Sequence, residues 1–543
     1  MASFKVKTVA PLSLLLAATT LTACSGAAPD KHGASSTGDL VSSLPAAKSD
    51  VDQITWNLTG GEPDTLDPAN AATPEGGQVV RNLCDTLLTM DAKFNLKPNL
   101  ASHEQVSPTR LVLTIRSGTT FWDGSAVTSE DVAYSLQRAA DPSKITSYLF
   151  AYVTSIKASG DKVTIDFKQP DSLFTSEMVN MVVVKKAFTE KAGDKFGSSS
   201  GGLMCSGPFK LDKWTVGSGI AISRNDAYWN KERRPFVRNV RFTFVTDGSA
   251  LVQALNAGEI DGAYEIPASA VPSLAKSKAG RIVFGPSPQS TNLYVTQPDG
   301  VMADPKLRAA LQRLVDRGAL AKAVFHGAAT PLYTLTAPST WPNDQRGVYE
   351  KAYKPFESAR SYDLDAAKKL VAESDYSGKE IVLAIVAGDD SQSRTAQLIQ
   401  QQGRRVGLAV TIQTLQPLIY AQAGYDAGKR KGIDLLLSSN FSAAPDPLET
   451  IGFQYLPDEV YNYTGYDDPQ FTKLFHEARS TFDAEQRATK ITQAQELFEK
   501  ANATIPLVST NTTTFLNNRL TGAITSFAYW STPQMAFVGG AGS

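Results

Sequence analysis

Apolar and polar residues alternate along several short stretches of the first half of the chain. In TRLVLTIR (109–116), Leu111, Leu113 and Ile115 fall on one face, while Arg110, Thr114 and Arg116 fall on the other. KVTIDFK (162–168) repeats the pattern through Val163, Ile165 and Phe167, and NVRFTF (239–244) through Val240, Phe242 and Phe244. A period of two predicts half-buried strands. Between the first two, TSEDVAYSLQRAA (128–140) places Val132, Leu136 and Ala139 on one helical face, with Thr128 and Asp131 at N-cap and N3 spacing. GSSSGG (197–202) reads as a loop, and a short helix presenting Leu251 and Leu255 stops at Gly258.

From about residue 303 the pattern changes. Asp304 caps, Pro305 suits the first helical position, and Leu307, Leu311, Leu314 and Val315 form a stripe. Helices at 363–373 and near 391–405 precede the strands EIVLAIVA and LAVTIQTL, and a helical stretch near 416–428 precedes IDLLLSS. A helix over 482–502 ends near Pro506. Helices alternating with apolar strands predict a parallel, helix-covered sheet. The expected architecture is two α/β lobes that change character near residue 290.

The N-terminus adds an address. Lys5 and Lys7 precede an apolar run from Val9 to Leu21, shorter than the roughly 20 residues a span requires but suited to a secretory signal. Leu21-Thr22-Ala23-Cys24 resembles the lipobox of bacterial lipoproteins, in which the cysteine is acylated and the chain is cut before it. Residues 1–23 are then a signal peptide and Cys24 a membrane anchor. The Ser/Ala/Gly/Pro-rich segment 24–52 reads as a flexible stalk. The body is therefore expected outside the cytoplasm, with no later segment long and apolar enough to cross a membrane.

Charge removes one class of partner. With 53 basic and 54 acidic residues the chain is close to neutral, whereas nucleic acid would demand a basic excess or stripe. Apart from Cys24, the cysteines are Cys84 and Cys205. In an oxidising compartment they form either a bridge or two buried free thiols.

Catalytic and metal chemistry finds little support. His32, His103, His326 and His476 are scattered, and His476-Glu477 lacks the second histidine of a zinc-protease motif. No phosphate-binding glycine loop occurs. Ser273-Leu-Ala-Lys276 matches the S-x-x-K of penicillin-recognising acyl enzymes, and Ser438-Ser439-Asn440 passes for their second motif, but the third, K-T-G, is missing. No cofactor or metal is expected.

Several ordered stretches resemble family 5 of the extracytoplasmic solute-binding lipoproteins that serve ABC importers for peptides, nickel and related solutes. They are EPDTLDPANA (62–71), FWDGSAVTSEDVAYSLQRA (121–139), CSGPFKLDKW followed by ISRNDAYWN, ALNAGEIDGAY (254–264), DPKLRAALQRLVDRGALAKAVFHGAATP (304–331) and NYTGYDDPQF (462–471). The resemblance implies an α/β, two-lobed periplasmic-binding-protein-like fold of type II, in the large variant with an inserted subdomain. Lobe I would comprise 53–80, 206–288 and 505–543, with 81–205 as its insert, and lobe II would be 289–504. Strands near 288 and 505 would cross between the lobes as a hinge. A ligand touching both lobes would favour the closed state, which a membrane permease would recognise.

In that family, peptide binders commonly carry an aspartate that pairs with the ligand ammonium three residues before an Asp-Pro. Here Ala443 stands at that place before Asp446-Pro447. Asp446 either substitutes for it or, with Pro447 and Glu449, completes a helix cap. The expected ligand-contacting residues are Thr73, Asn292, Tyr294, Asn440, Phe441, Ser442, Asp446 and Tyr461, with Tyr463 beside them. The implied role is that of a monomeric, lipid-anchored importer component binding (oligo)peptides. An oligosaccharide or a modified or blocked peptide is the alternative ligand, and a surface serine acyl enzyme using Ser273 or a ligand sensor the alternative role.

Overall fold

The computed structural model describes residues 40–71, 73–297, 299–444 and 446–542. Cys24, the signal segment and most of the expected stalk lie outside these residues.

Three sheets organise the chain. A seven-stranded mixed sheet runs in the order Gly280–Gly285, Thr512–Asn517, Gly262–Ala263, Val51–Asn57, Val237–Thr243, Gly219–Arg224, Phe209–Thr215. A six-stranded sheet runs Ala329–Pro331, Thr504–Thr510, Ser290–Val295, Leu435–Asn440, Ile381–Val386, Val410–Leu415. A four-stranded antiparallel sheet, built from Ala101–Ser107, Arg110–Ile115, Lys162–Phe167 and Val153–Ser159, sits within the 81–205 segment. The alternating stretches form strands as expected, and Ser129–Ala139 is a helix with a complete Thr128/Asp131 capping box. Asp304 caps Pro305–Leu314, and Gly258 adopts the left-handed conformation (φ 74°) that ends Gly248–Ala257.

Three expectations need correction. The six-stranded sheet is mixed. Only Ile381–Val386 pairs in parallel, with Val410–Leu415 and Leu435–Asn440, whereas Ser290–Val295 and Thr504–Thr510 pair antiparallel. Ser290–Val295 enters from the other sheet and Thr504–Thr510 leaves toward it, so the helix–strand alternation that predicts parallel pairing does not govern their direction. For the same reason the second crossing lies at Asn511, later than residue 505, since Thr504–Thr510 still belongs to the second sheet. Lastly, the stalk does not extend to residue 52. Val41 N–H donates to Phe284 O, Leu44 N–H to Ala523 O and Lys48 N–H to Gly540 O. Backbone pairing of this kind needs no apolar sequence, which is why composition alone read the segment as free.

The two lobes are joined by residues 286–289 and by Asn511, and the two crossings are tied together. Thr510 N–H donates to Gln289 O at 3.2 Å, and Ser509 Oγ to the same oxygen at 3.2 Å. Cys84 and Cys205 form a disulfide that clasps the base of the insert, closing a separation of 121 residues. Beside it the buried Asp85 carboxylate accepts from Tyr228 Oη (2.8 Å), Trp229 Nε1 (2.8 Å) and Ser206 Oγ (3.0 Å), which gives the RNDAYWN stretch a structural task. No helix among the described residues is long and apolar enough to cross a membrane.

Candidate functional site

In the second lobe, strand alternation decides what faces the gap between the lobes. Leu293, Val295, Leu435 and Leu437 point into the core beneath helices Pro305–Leu314 and Asp390–Val406. Residues one step out of phase, Tyr294, Ser438 and Asn440, point the other way and line a cavity of about 550 Å³ between the lobes. Pairing of Leu435–Asn440 with its parallel neighbour is registered only at Leu435 and Leu436, so Ser438–Asn440 run on past it into the cavity.

Rings form much of the remaining lining. Tyr294 meets Tyr463 edge-on at 5.7 Å, Tyr461 meets Tyr463 at 6.3 Å and Phe453 at 6.4 Å, and Phe453 meets Tyr148 of the first lobe at 5.4 Å. Phe441 reaches across to Trp530 at 5.5 Å. The first-lobe wall comes from Pro68, Ala71, the 145–149 turn, Asn180, Trp530 and Arg81.

Of the expected contact residues, Tyr294, Asn440, Phe441 and Tyr461 line this cavity. The others are turned to different work. Thr73 caps helix Pro74–Leu83, accepting from Gly76 N–H at 3.2 Å, as suits a residue before a proline at the first helical position. Asn292 lies behind the wall, fully buried, and donates to Ser290 Oγ (2.9 Å) and Tyr294 Oη (3.1 Å), orienting the phenol. Ser442 is buried and hydrogen-bonds Ala444 O and the Glu449 carboxylate. Asp446 caps Pro447–Tyr455 through Leu448 N–H, while its other oxygen accepts from Arg487 (2.7 Å) and Ser176 (3.2 Å), so its charge is already paired within the protein.

Glu449 departs from the expected capping box. It occupies N3, but its carboxylate turns to Ser442 Oγ and Ala444 N–H (3.0 Å) rather than back to Asp446 N–H. It lines the cavity at 7 % exposure, and burial pushes its pKa up to about 7 against the bonds from Ser442 and Ala444. Glu177, buried close by, is held well above the usual carboxylate range by burial and by the Glu449 and Asp446 charges.

Arg81 is the counterpart on the first lobe. It is 9 % exposed, and Nε donates to Trp530 O (3.3 Å) and Nη2 to Asn180 Oδ1 (3.2 Å). Among the described residues it has no carboxylate partner, and Nη1 has no hydrogen bond. Arg81 and Glu449 are the charged side chains of this lining. Asn180 also joins the lobes, its Nδ2 donating to Ala443 O at 3.3 Å. Sequence reasoning missed Arg81, Asn180, Glu449, Tyr148, Phe453 and Trp530. The one local signal was the charge of Arg81 within VVRNLC, amid residues that are all buried.

Two further sets of candidates fall outside the cavity. Ser273 is exposed on the short helix Val271–Leu274, and no hydrogen bond among the described residues links its hydroxyl to Lys276, Ser438 or Asn440. Among the described residues no group of three or more His, Cys, Asp or Glu is placed to hold a metal.

Comparison with known proteins agrees with this architecture. The family model described as "Bacterial extracellular solute-binding proteins, family 5 Middle" matches residues 95–462. The glutathione-binding protein GsiB of Shigella boydii serotype 4 is 25% identical over 505 residues, spanning 91% of this chain and 94% of that one. Among solved structures, the ABC transporter substrate-binding protein CtaP of Listeria monocytogenes superposes with a TM-score of 0.79 at 20% identity, covering 91% of this chain and 100% of that one. DppA of Helicobacter pylori, in complex with the peptide STSA, gives 0.76 at 18%, covering 91% and 99%.

Proposed function

Since the chain belongs to the bacterial extracellular solute-binding proteins of family 5, we propose that it captures short peptides between its lobes and delivers them to the permease of an ABC importer. The carrying observation is Glu449, a buried carboxylate in the wall of an otherwise aromatic and amide-lined cavity. A ligand ammonium placed there gives Glu449 the counter-charge that the protein itself withholds. The overhanging strand end at Ser438–Asn440 suits an extended peptide backbone, and the rings around it suit varied side chains. A cavity of about 550 Å³ fits a ligand of a few residues.

Binding and closure are one event in this reading. A ligand touching Glu449 on one lobe and the Trp530 wall on the other binds the closed arrangement better than an open one, and so shifts the population toward it. The protein acts as a monomer and without catalysis. Cys24 carries the lipid anchor that holds it at the outer face of the cytoplasmic membrane. A Cys24→Ser chain recovered in the medium rather than with membranes supports that anchor, and one still retained in the membrane fraction removes it.

The matched curated relatives are named for glutathione binding, and glutathione, a tripeptide with an ammonium group, belongs among the ligands tested. Native mass spectrometry of the body lacking residues 1–24 tests the reading. Release of short peptides on denaturation is the expected result. A bare mass that persists after incubation with a tripeptide pool and with glutathione refutes it.

A further inference from the structure

Large apolar side chains that stay wet in a folded protein mark a binding surface when they gather in one place. Ile145, Tyr148, Phe441 and Tyr461 gather in this way: each lines the cavity, and they are 41 to 55% exposed. They come from a turn of the insert, the residue after strand Leu435–Asn440 and a separate turn of the second lobe, so chain proximity does not account for the cluster. Two groups of rings result, and each takes members from both lobes. Tyr148 of the insert meets Phe453 at 5.4 Å, and Phe453 meets Tyr461 at 6.4 Å. Phe441 of the second lobe meets Trp530 at 5.5 Å and Phe527 at 6.0 Å, two first-lobe rings that stack on each other. The polar groups of the lining have other work. Asn180 holds Arg81 and Ala443 O, Glu449 turns to Ser442 and Ala444, and Ser438–Asn440 offer a strand end suited to peptide backbone. What is left for a ligand's side chains is aromatic and aliphatic surface.

We propose that the cavity selects short peptides bearing bulky apolar side chains, of leucine to tryptophan size, and seats them between the rings of the two lobes. This rests on the peptide reading above and narrows its ligands by side chain. A side chain of that size loses water on both sides only when the lobes meet, because neither ring group is complete on one lobe. Its burial therefore favours the closed arrangement over the open one, and the apolar side chain becomes the part of the ligand that drives closure. Hydroxyl, amide and charged side chains would shed water against the same rings without gaining a partner, so the surface rejects them. Glutathione has a thiol and a carboxyl-bearing arm in place of such a group, and it should behave as the polar peptides do.

The test compares three pools of free tripeptides by the concentration that gives a half-maximal rise in the melting temperature of the intact protein. One pool is drawn from Leu, Ile, Phe and Trp, one from Ser, Thr, Asn and Gln, and one from Asp, Glu and Lys. The apolar pool should act at a concentration lower by roughly ten- to hundredfold, the burial of one such side chain converted to affinity. Equal or better protection by either other pool overturns the inference while leaving peptide binding standing, and no protection by any pool overturns both. Ile145→Ser and Tyr461→Ser change exposed side chains, so the fold should tolerate them. Each should narrow the preference for the apolar pool by about threefold or more and leave the response to the polar pool where it was. Phe482→Ser, at a similarly exposed ring outside the cavity lining, should leave the preference as it is. A preference that survives intact in both cavity variants refutes the assignment.

Discussion

The Asp171–Arg479 pair offers the sharpest test of closure. Asp171 belongs to the insert and Arg479 ends helix Pro469–Arg479 of the second lobe, and they meet in a bidentate pair at 2.8 Å for both bonds. The Asp171 side chain is 1% exposed and that of Arg479 15%. Removing one partner of a buried pair costs about 3–5 kcal/mol. Two features here reduce that figure: Arg479 keeps some solvent, and its guanidinium lies 4.0 Å over the Tyr152 ring, a contact of about 0.5–2 kcal/mol. A loss near 2 kcal/mol remains. Both ions are hydrated when the lobes part, so this loss falls on the closed state alone and weakens ligand affinity by roughly thirtyfold. Asp171→Asn preserves side-chain volume. Calorimetry with a tripeptide ligand gives the affinity, and small-angle scattering gives the share of closed molecules. An unchanged affinity refutes the latch. So does a loss of the same size when Arg479 is already Gln, since the double-mutant cycle would then show no coupling.

Four further outcomes follow from the structure. Below pH 7 Glu449 is largely protonated in the free protein, so affinity for an ammonium ligand should rise from pH 5 to 8 with proton release, visible as a buffer-dependent binding enthalpy and lost in Glu449→Gln. Because its folded pKa lies above its unfolded one, the linked stability is full below about pH 4.5 and falls as pH rises through about 7, so the melting temperature of the free protein should drop over that window and recover with ligand. Opening Cys84–Cys205 frees a 121-residue loop and should cost about 4–5 kcal/mol in the chain-entropy account, read as a lower denaturant midpoint under reducing conditions. Asp446→Ala removes a helix cap and strands Arg487, so it should lower stability by about 3–5 kcal/mol in chemical denaturation, while Asp446→Asn retains the cap and loses less.

Amphipathic elements were legible because their periods are local. Arg110–Ile115, Lys162–Phe167 and Ser129–Ala139 each declare a wet and a dry face within a few residues. Ser290–Val295 and Thr504–Thr510 declare neither: they are buried almost throughout, and their neighbours lie some 200 residues away in sequence. Direction and partner in such strands are set by where the chain passes between the two sheets, entering at one strand and leaving at the other, and no local pattern encodes that. The site divides along the same line. Tyr294, Asn440, Phe441 and Tyr461 sit where a strand or turn ends, and they reach the cavity. Thr73 and Asp446 precede prolines at helix starts, and there the local capping signal outweighs any distant ligand. Cys84 and Cys205 illustrate the limit from a third side, since an even count leaves bridge and free thiols equal until a fold brings their Cα atoms to 4.8 Å.

An alanine at position 443 has a physical logic once the turn is seen whole. A small residue at 443 leaves its carbonyl free to accept from Asn180, so backbone at that place serves closure. The carboxylate of this turn comes six residues on, from Glu449, whose side chain returns to it through Ser442 and Ala444 N–H. Asn180 then touches the three parts that matter at once: the Ala443 carbonyl across the gap, the Arg81 fork behind it, and Glu177 at 3.5 Å. An amide is suited to that position because it donates to one lobe and accepts from the other without adding a charge to a cavity already holding one unpaired cation and a carboxyl poised near neutrality. Asn180→Asp should therefore pair with Arg81 in the absence of ligand. It should repel the Ala443 carbonyl, drive the empty protein open in scattering, and cost more affinity than Asn180→Ala. An Asp variant that binds as well as the Ala one would mean that the Asn180 amide does not tie the lobes together.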